Sequence, residues 1–156
     1  MTVKIAQYKG KSLTSRLIKF ITRGQYSHTS IILGSGRIVE AWQGSNSVRV
    51  IRTLSDGHKP GTPVDIYSVR MSSEQERLFT EYVEAQIGKK YDYWGIVGFL
   101  LRRDLQRSEN SFCSEIFAAG CEFAKVGLLN NLLPSQTSPS MITRSPITKL
   151  IERRIV

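Results

Sequence analysis

Three short strand-like segments, separated only by tight turns, constrain the fold of this chain most strongly. They are His28–Leu33, Arg37–Trp42 and Ser47–Ile51, and each contains β-branched residues. The connections between them, Gly34–Gly36 and Gln43–Asn46, consist of glycine and polar residues that are typical of turns. Strands joined by such short loops pair antiparallel, because a parallel crossover needs about a dozen residues or more. We therefore predict an antiparallel meander over this stretch.

The remaining predicted elements add helices and further strands to this meander. Alternating apolar and polar residues predict strands at Val3–Tyr8 and Val64–Val69. Apolar residues at helical spacing predict helices over residues 12–22, 73–87, 91–101 and 113–126. Residues 130–146 are expected to cross the core irregularly, while Ile147–Val156 is compatible with a strand or a short helix. The predicted class is α+β, a small antiparallel sheet packed against helices in a single domain over residues 1–156.

The charge of the chain bears on its partners rather than on its fold. The 156 residues carry a formal net charge of +9, which fits a polyanionic partner (nucleic acid, anionic lipid or the bacterial wall) or simply a basic solvated surface. Nucleic acid is disfavoured, since no helix-turn-helix, RNA-recognition signature or zinc finger occurs. The N-terminus lacks the pattern of a secretory leader, and no apolar run approaches the roughly 20 residues that span a bilayer. We therefore expect a cytoplasmic protein as encoded.

Cys113 is the candidate nucleophile because it lies in the first turn of a predicted helix, behind the N-cap candidates Asn110 and Ser111. Backbone N–H groups and the positive end of the helix dipole favour the reactive thiolate there. The alternative is a small buried hydrophobe, the usual fate of a cysteine outside disulfides. Cys121 lies eight residues further on, about 12 Å along a continuous helix. Because a disulfide requires Cα atoms within about 7 Å, we expect no bridge between the two.

A nucleophilic thiolate needs a base and a group that orients this base, and the meander offers both. His28 opens one strand and Glu40 lies in the next. A hairpin turn at Gly34–Gly36 makes paired residue numbers sum to about 70, so that Glu40 lies diagonal to His28 on the same face. Glu40 would then hold the imidazole ring; the alternatives are a half-buried structural histidine and a solvent-facing glutamate. The other histidine, His58, is expected to be solvated in a loop of glycine and proline.

Six motifs distributed along most of the chain resemble those of a known family. They are Leu17–Ser27, His28–Leu33, Glu40, Gly88–Tyr93, Phe112–Glu115 and Ser138–Met141. In this order they are similar to the circularly permuted papain-like (NlpC-type) cysteine hydrolase superfamily, in which the histidine precedes the cysteine. Within that superfamily they resemble the YiiX/YebB-like bacterial branch, which is related to lecithin:retinol acyltransferase-like proteins. The resemblance implies a bacterial or phage origin.

The resemblance also implies a fold and a set of roles. The fold would be permuted papain-like, with the catalytic cysteine at a helix N-terminus. Cys113 would be the nucleophile, His28 the base and Glu40 the third member of an acyl-transfer site that works through a thioacyl-enzyme. Neither a metal nor a cofactor would be needed. Further candidates for the oxyanion hole or the substrate pocket are Tyr26, Ser114 and Trp42.

The expected substrates are amide bonds of cell-wall peptides or of lipid-like acyl amides, because a cysteine amidase with a basic surface suits an anionic wall or an anionic lipid. Two alternatives stay open. One is a lipid acyltransferase or thioesterase of the same fold. The other is a non-enzymatic basic module that binds nucleic acid or anionic surfaces, with Cys113 merely buried. The sequence does not give the oligomeric state.

Overall fold

The computed structural model describes residues 2–42, 44–90, 112–128 and 137–156. Their elements, in chain order, are β1 (Lys4–Tyr8), α1 (Leu13–Ile21), β2 (His28–Ile32), β3 (Ile38–Trp42), β4 (Ser47–Ile51), β5 (Pro63–Val69), α2 (Ser73–Gln86), α3 (Phe112–Phe123), α4 (Pro139–Ile142) and β6 (Thr148–Ile155). The helix predicted over residues 91–101 and the N-cap candidates Asn110 and Ser111 lie outside the described residues. No helix in the described ranges combines the length and the apolar character needed to cross a membrane.

The six strands form a sheet in the order β4-β3-β2-β1-β5-β6, and every neighbouring pair is antiparallel. The predicted meander is confirmed as β2–β3–β4. In its first hairpin Ile31 pairs with Val39 and Ile32 with Ile38, which is the register that the short turn predicts. The C-terminal segment forms a strand, β6, which pairs with β5 at the edge of the sheet. The α+β class is therefore confirmed.

Two helices begin where serine residues predict their N-termini. The Ser12 side chain accepts a hydrogen bond of 3.1 Å from the backbone N–H of Ser15 at the start of α1. Ser72 and Gln75 form a capping box at the start of α2, in which each side chain bonds the backbone of the other. Such caps satisfy backbone N–H groups that the helix itself leaves unused, and each contributes about 1 kcal/mol.

Helices α2 and α3 pack together and bury the larger apolar core against one face of the sheet. Phe79 of α2 and Phe117 of α3 meet edge to face with ring centroids 5.5 Å apart, and both are fully buried. Gly120 of α3 permits this approach, because a Cβ atom there would lie 2.8 Å from the Phe79 ring. Helix α3 also contacts β2 and β3. This packing fixes the first turn of α3 with respect to the start of β2.

The connection from β4 to β5 packs on the opposite face. Strand β4 is at one edge, and β5 lies beyond β3, β2 and β1, so residues 52–62 have to pass the strands between them. Leu54 of this connection is buried against the second apolar cluster, which contains Ala6, Tyr8, Val64 and Ile66. The connection thereby brings its own side chains to the end of the sheet where β2 begins.

Candidate active site

The candidate site is a pocket at the end of the sheet where β2 begins and β3 ends. Because the two strands are antiparallel, His28 at the start of β2 and Trp42 at the end of β3 lie at the same end. Cys113, the second residue of α3, lines the same pocket, as does His58 from the β4–β5 connection. The pocket therefore collects side chains from four separate parts of the chain.

Glu40 lies at the base of this arrangement and is completely buried. Its Oε2 atom is 2.8 Å from Nε2 of His28 and accepts a hydrogen bond of 2.8 Å from the Ser30 hydroxyl. Its Oε1 atom accepts hydrogen bonds of 3.0 Å and 2.7 Å from Nε and Nη2 of Arg49. Burial alone would raise the pKa of Glu40. The hydrogen bond and charge of His28, the nearby His58 ring and the Arg49 guanidinium outweigh it and lower the pKa.

The His28 ring connects the carboxylate to the thiol. Since Nε2 contacts Glu40, Nδ1 is the ring nitrogen left for Cys113. Burial by itself would lower the pKa of His28, but the charge of Cys113, a hydrogen bond with Cys113 and the contacts with Glu40 raise it to about 10. The environment therefore favours an imidazolium that lies between an anionic carboxylate and a thiolate.

The two cysteines of α3 lie in different surroundings, and no disulfide joins them. Cys113 is 7 % exposed and lines the pocket beside His28. Cys121 is fully buried in the apolar core, and this burial raises the pKa of its thiol. Only Cys113 is therefore placed where a thiolate is stabilised and a ligand can reach it.

His58 is part of the pocket wall, and the expectation that it is a solvated loop residue is wrong. Its side chain is 10 % exposed, and its ring stacks on Tyr8 with centroids 3.8 Å apart and planes 12° apart. Its Nε2 atom lies 3.9 Å from Oε2 of Glu40, too far for a direct hydrogen bond, and is buried with no hydrogen-bond partner among the described residues. The path of the β4–β5 connection over Tyr8 explains this burial.

The structure brings some of the other predicted residues into the pocket and leaves others out. Trp42 lines it, with its ring edge to face with His28 at 5.8 Å and under the Arg49 guanidinium at 4.1 Å. Tyr26 is buried elsewhere, where its hydroxyl donates a hydrogen bond of 2.6 Å to Asp65. The Ser114 hydroxyl is also buried and donates to the backbone carbonyl of Thr137. Neither Tyr26 nor Ser114 is among the described residues that line the pocket.

Among the residues that the structure describes, His28, Glu40 and His58 also form a set that could hold a metal ion. One ligand atom from each lies within 4.8 Å of the other two. Two imidazole nitrogens and one carboxylate oxygen are a common donor set for catalytic zinc. The buried, unpartnered Nε2 of His58 fits such a role. Glu40 keeps Oε1 on Arg49 and offers Oε2, so the three residues fit a divalent cation if His28 exchanges its hydrogen bond for a metal bond.

Comparison with known proteins identifies a solved structure with a similar fold. No protein-family model matches the sequence, and no curated protein matches it. Among solved structures, the crystal structure of metalloprotein YiiX from Escherichia coli O157:H7 is similar, with a TM-score of 0.62 and 16 % sequence identity over 99 % of this chain and 97 % of that chain. At this identity the likeness shows the fold alone, so the chain has a YiiX-like α+β fold.

The comparison corrects one prediction made from the sequence. We expected no metal to take part, but YiiX is described as a metalloprotein and His28, Glu40 and His58 form a possible metal site in this chain. The exclusion of metal is therefore wrong. The physical reason for the error is the position of His58. We expected its side chain to be solvated, and it instead completes a set of three ligand atoms.

Proposed function

We propose that this chain is a cysteine-dependent hydrolase, with Cys113 as nucleophile, His28 as base and Glu40 as the group that orients His28. The observation that carries this proposal is one continuous set of contacts: Glu40 hydrogen-bonds Nε2 of His28, and the same ring interacts with Cys113 at the wall of a pocket. Nucleophilic catalysis by a thiol requires all of these contacts together. The resemblance to permuted papain-like enzymes, in a single domain over residues 1–156, is compatible with a YiiX-like fold.

The reaction would proceed through a thioester. His28 accepts the thiol proton of Cys113, and the sulfur attacks the substrate carbonyl carbon to form a C–S bond. The backbone N–H of Cys113, at the start of α3, is the donor we assign to the developing oxyanion. The imidazolium then gives its proton to the leaving amine or alkoxide as the C–N or C–O bond breaks. Water, deprotonated by His28, attacks the thioester; the C–S bond breaks, the acid leaves, and the Cys113 thiolate and the His28 imidazolium are restored.

Glu40 and Arg49 are positioning residues in this scheme. The buried carboxylate stays ionised because His28, the nearby His58 ring and Arg49 lower its pKa, so it stabilises the imidazolium and orients the ring without taking a proton itself. We infer that the substrates are amide bonds of wall peptides or of lipid-like acyl amides. An alcohol or amine acceptor in place of water would make the chain an acyltransferase, which is the principal alternative.

Iodoacetamide is expected to alkylate Cys113 well below the pH at which an ordinary thiol reacts, whose pKa is about 8.5. The reason is that the His28 imidazolium stabilises the Cys113 thiolate, whereas burial raises the pKa of Cys121. Mass spectrometry of the two cysteine peptides, measured against pH, checks this within a single protein. Cys121 serves as the internal reference.

The variant His28→Ala isolates the contribution of the imidazolium to this reactivity. It is expected to move the alkylation profile of Cys113 upward, toward that of an ordinary thiol, while Cys121 stays unreactive. A Cys113 that titrates near pH 8.5 in both the natural chain and His28→Ala would contradict the proposal. The basic, non-enzymatic binding module would then be the better description.

A second candidate function is divalent metal binding, and the unpartnered Nε2 of His58 favours it. His28, Glu40 and His58 would hold the cation, which is the role that the description of YiiX suggests. A bound divalent cation acts as a Lewis acid and lowers the pKa of bound water. Within this chain, Arg49 would keep Glu40 ionised, and the Tyr8 ring would orient His58 by stacking on it.

Zinc is expected to bind at about one ion per chain after equilibration and removal of excess metal, measured by elemental analysis. The variant His58→Phe keeps a ring to stack on Tyr8 but lacks the nitrogen, so its zinc content is expected to fall well below one. Cys113→Ser should retain zinc, which separates this site from a thiolate site. Equal zinc content in the natural chain and His58→Phe, or none in either, would rule out the assignment.

A further inference from the structure

The charged side chains that line the pocket beside Cys113 are all basic. Its cationic side chains are Lys11, which precedes α1, and Lys59, in the β4–β5 connection. Its two histidines are His28 and His58. None of the described residues that line it is an aspartate or a glutamate. Glu40 lies beneath this lining, and its charge is already balanced by Arg49 and His28.

Lys11 and Lys59 differ from the other basic residues near the site in having no acidic partner. Lys9 pairs with Asp65 at 2.9 Å, and Arg49 pairs with Glu40 at 2.7 Å. Among the described residues no carboxylate forms an ion pair with either Lys11 or Lys59. The two ammonium groups can therefore interact with a ligand that binds in the pocket.

Two further polar groups in the wall have unmet hydrogen-bonding capacity. Nε2 of His58 is buried and has no hydrogen-bond partner among the described residues, and it lies 3.9 Å from Oε2 of Glu40. Oδ1 of Asn46, another lining residue, is likewise buried and unpartnered. The Asn46 amide can turn either its oxygen or its NH2 group toward a ligand. Buried polar groups without partners are rare in folded proteins, and a ligand is one explanation of them.

We propose that Lys11, Lys59 and Asn46 form a subsite for an anionic group, a carboxylate or a phosphate, on the substrate that Cys113 attacks. This inference rests on the proposed hydrolase and narrows its substrate class to acyl compounds or peptides that carry a negative charge close to the scissile bond. The two ammonium groups attract the charge, and the Asn46 NH2 group donates a hydrogen bond to it. Neutral acyl amides are correspondingly poor substrates.

The test compares two alkylating reagents of nearly equal size, anionic iodoacetate and neutral iodoacetamide, at Cys113 in a buffer that contains a chelator. The ratio of their rates reports anion attraction independently of thiolate reactivity. In Lys11→Gln/Lys59→Gln this ratio is expected to fall about three- to tenfold at low salt, while the iodoacetamide rate changes less than about twofold. High salt should remove most of the difference.

The control variant removes the same total charge away from the pocket. Lys4 and Lys149 are exposed residues of β1 and β6 that do not line it. Lys4→Gln/Lys149→Gln is expected to keep the ratio of the natural chain, because only nearby charges act on the reagent. An equal fall in both double variants would overturn the subsite, since it would show an effect of net charge alone.

A binding measurement separates failure of the subsite from failure of the hydrolase. If Cys113 is inert to both reagents, the proposed hydrolase fails, and the subsite is then judged by calorimetry on Cys113→Ala. Inorganic phosphate and N-acetylglycine serve as the phosphate and carboxylate probes. At least one probe should bind to Cys113→Ala. Its affinity is expected to fall at least about fivefold when Lys11→Gln and Lys59→Gln are added. The subsite is overturned if neither probe binds, or if the affinity of a bound probe is the same with and without the two lysines.

Discussion

p-Nitrophenyl acetate is expected to acetylate Cys113 and leave Cys121 unmodified, and His28→Ala is expected to slow this acetylation by about 10³-fold. Cys113 lies at a pocket wall beside His28, whose raised pKa favours an imidazolium, whereas Cys121 is buried in the core. Removal of the imidazole takes away both the base that accepts the thiol proton and the charge that stabilises the thiolate. The burst of p-nitrophenolate gives the rate, and peptide mass mapping gives the position of the acetyl group.

Two further variants sharpen this experiment. His28→Gln preserves a hydrogen-bonding group beside Glu40 but can neither accept the thiol proton nor carry a positive charge, so it should be as slow as His28→Ala. Cys113→Ser keeps the shape of the nucleophile and should abolish the thioester. Acetylation of His28→Ala within about tenfold of the natural chain would show that His28 is not the base. An acetyl group on Cys121 would remove the distinction between the two thiols.

The approach of His28 to Glu40 could be predicted from the sequence because it depends on local geometry. The short turn at Gly34–Gly36 permits a register in which Ile31 and Val39 both point into the core, and this register is the one observed. Residues of even number then share the opposite face. The sequence pattern left open whether that face is solvated, and the structure shows that Glu40 is buried.

Arg49 was within reach of the same reasoning, but we missed it. It pairs directly with Glu40 across the β3–β4 hairpin. Strand β4 was predicted with its observed bounds, and the prediction for β3 began one residue earlier than observed. An opposite charge directly across from a glutamate is a recognisable cross-strand pair. The signal was present in the sequence, and extending the register by one more hairpin would have found it.

The location of His58 could not be predicted, because it depends on the order of strands that do not follow one another locally. Sequence periodicity does not say whether β5 adds beside β4 or beyond β1, and only the second arrangement sends the connection over Tyr8. The close packing of this connection requires a glycine at residue 57. Gly57 has a φ of 79°, and a Cβ atom there would lie 2.7 Å from the Trp42 ring. That close contact is recognisable only once the strand order is known.

The C-terminal strand was ambiguous for a different reason. β6 pairs along the edge of the sheet, and its side chains are mostly exposed, so the alternation of apolar and polar residues that marks a half-buried strand is weak. Backbone pairing with β5 stabilises this strand where side-chain burial does not. Because sequence periodicity reflects side-chain burial, it could not distinguish a strand from a helix in this exposed segment.

Glu40→Ala is expected to lower the free energy of unfolding by about 3–5 kcal/mol, because it leaves the charges of Arg49 and His28 next to each other without their carboxylate. The matched control is Glu84→Ala. Glu84 also pairs with an arginine, Arg37, at 2.7 Å, but both side chains are more than 40 % exposed. Loss of that pair should cost less than about 1 kcal/mol. Urea unfolding of the two variants near neutral pH gives both values, and equal costs would contradict a buried role for Glu40.

The pH dependence of this difference follows from the two pKa shifts. The pKa of Glu40 is lowered from its usual 4.5, so its contribution to stability is present above pH 4.5 and is lost as the pH falls through the folded-state pKa. The pKa of His28 is raised from 6.5 to about 10, so its contribution is full below pH 6.5 and is lost as the pH rises toward 10. The stability of the natural chain relative to Glu40→Ala should therefore be greatest between pH 4.5 and 6.5 and decrease on both sides. A difference that stays constant from pH 6.5 to 10 would mean that Glu40 stabilises no imidazolium at His28 in the folded chain.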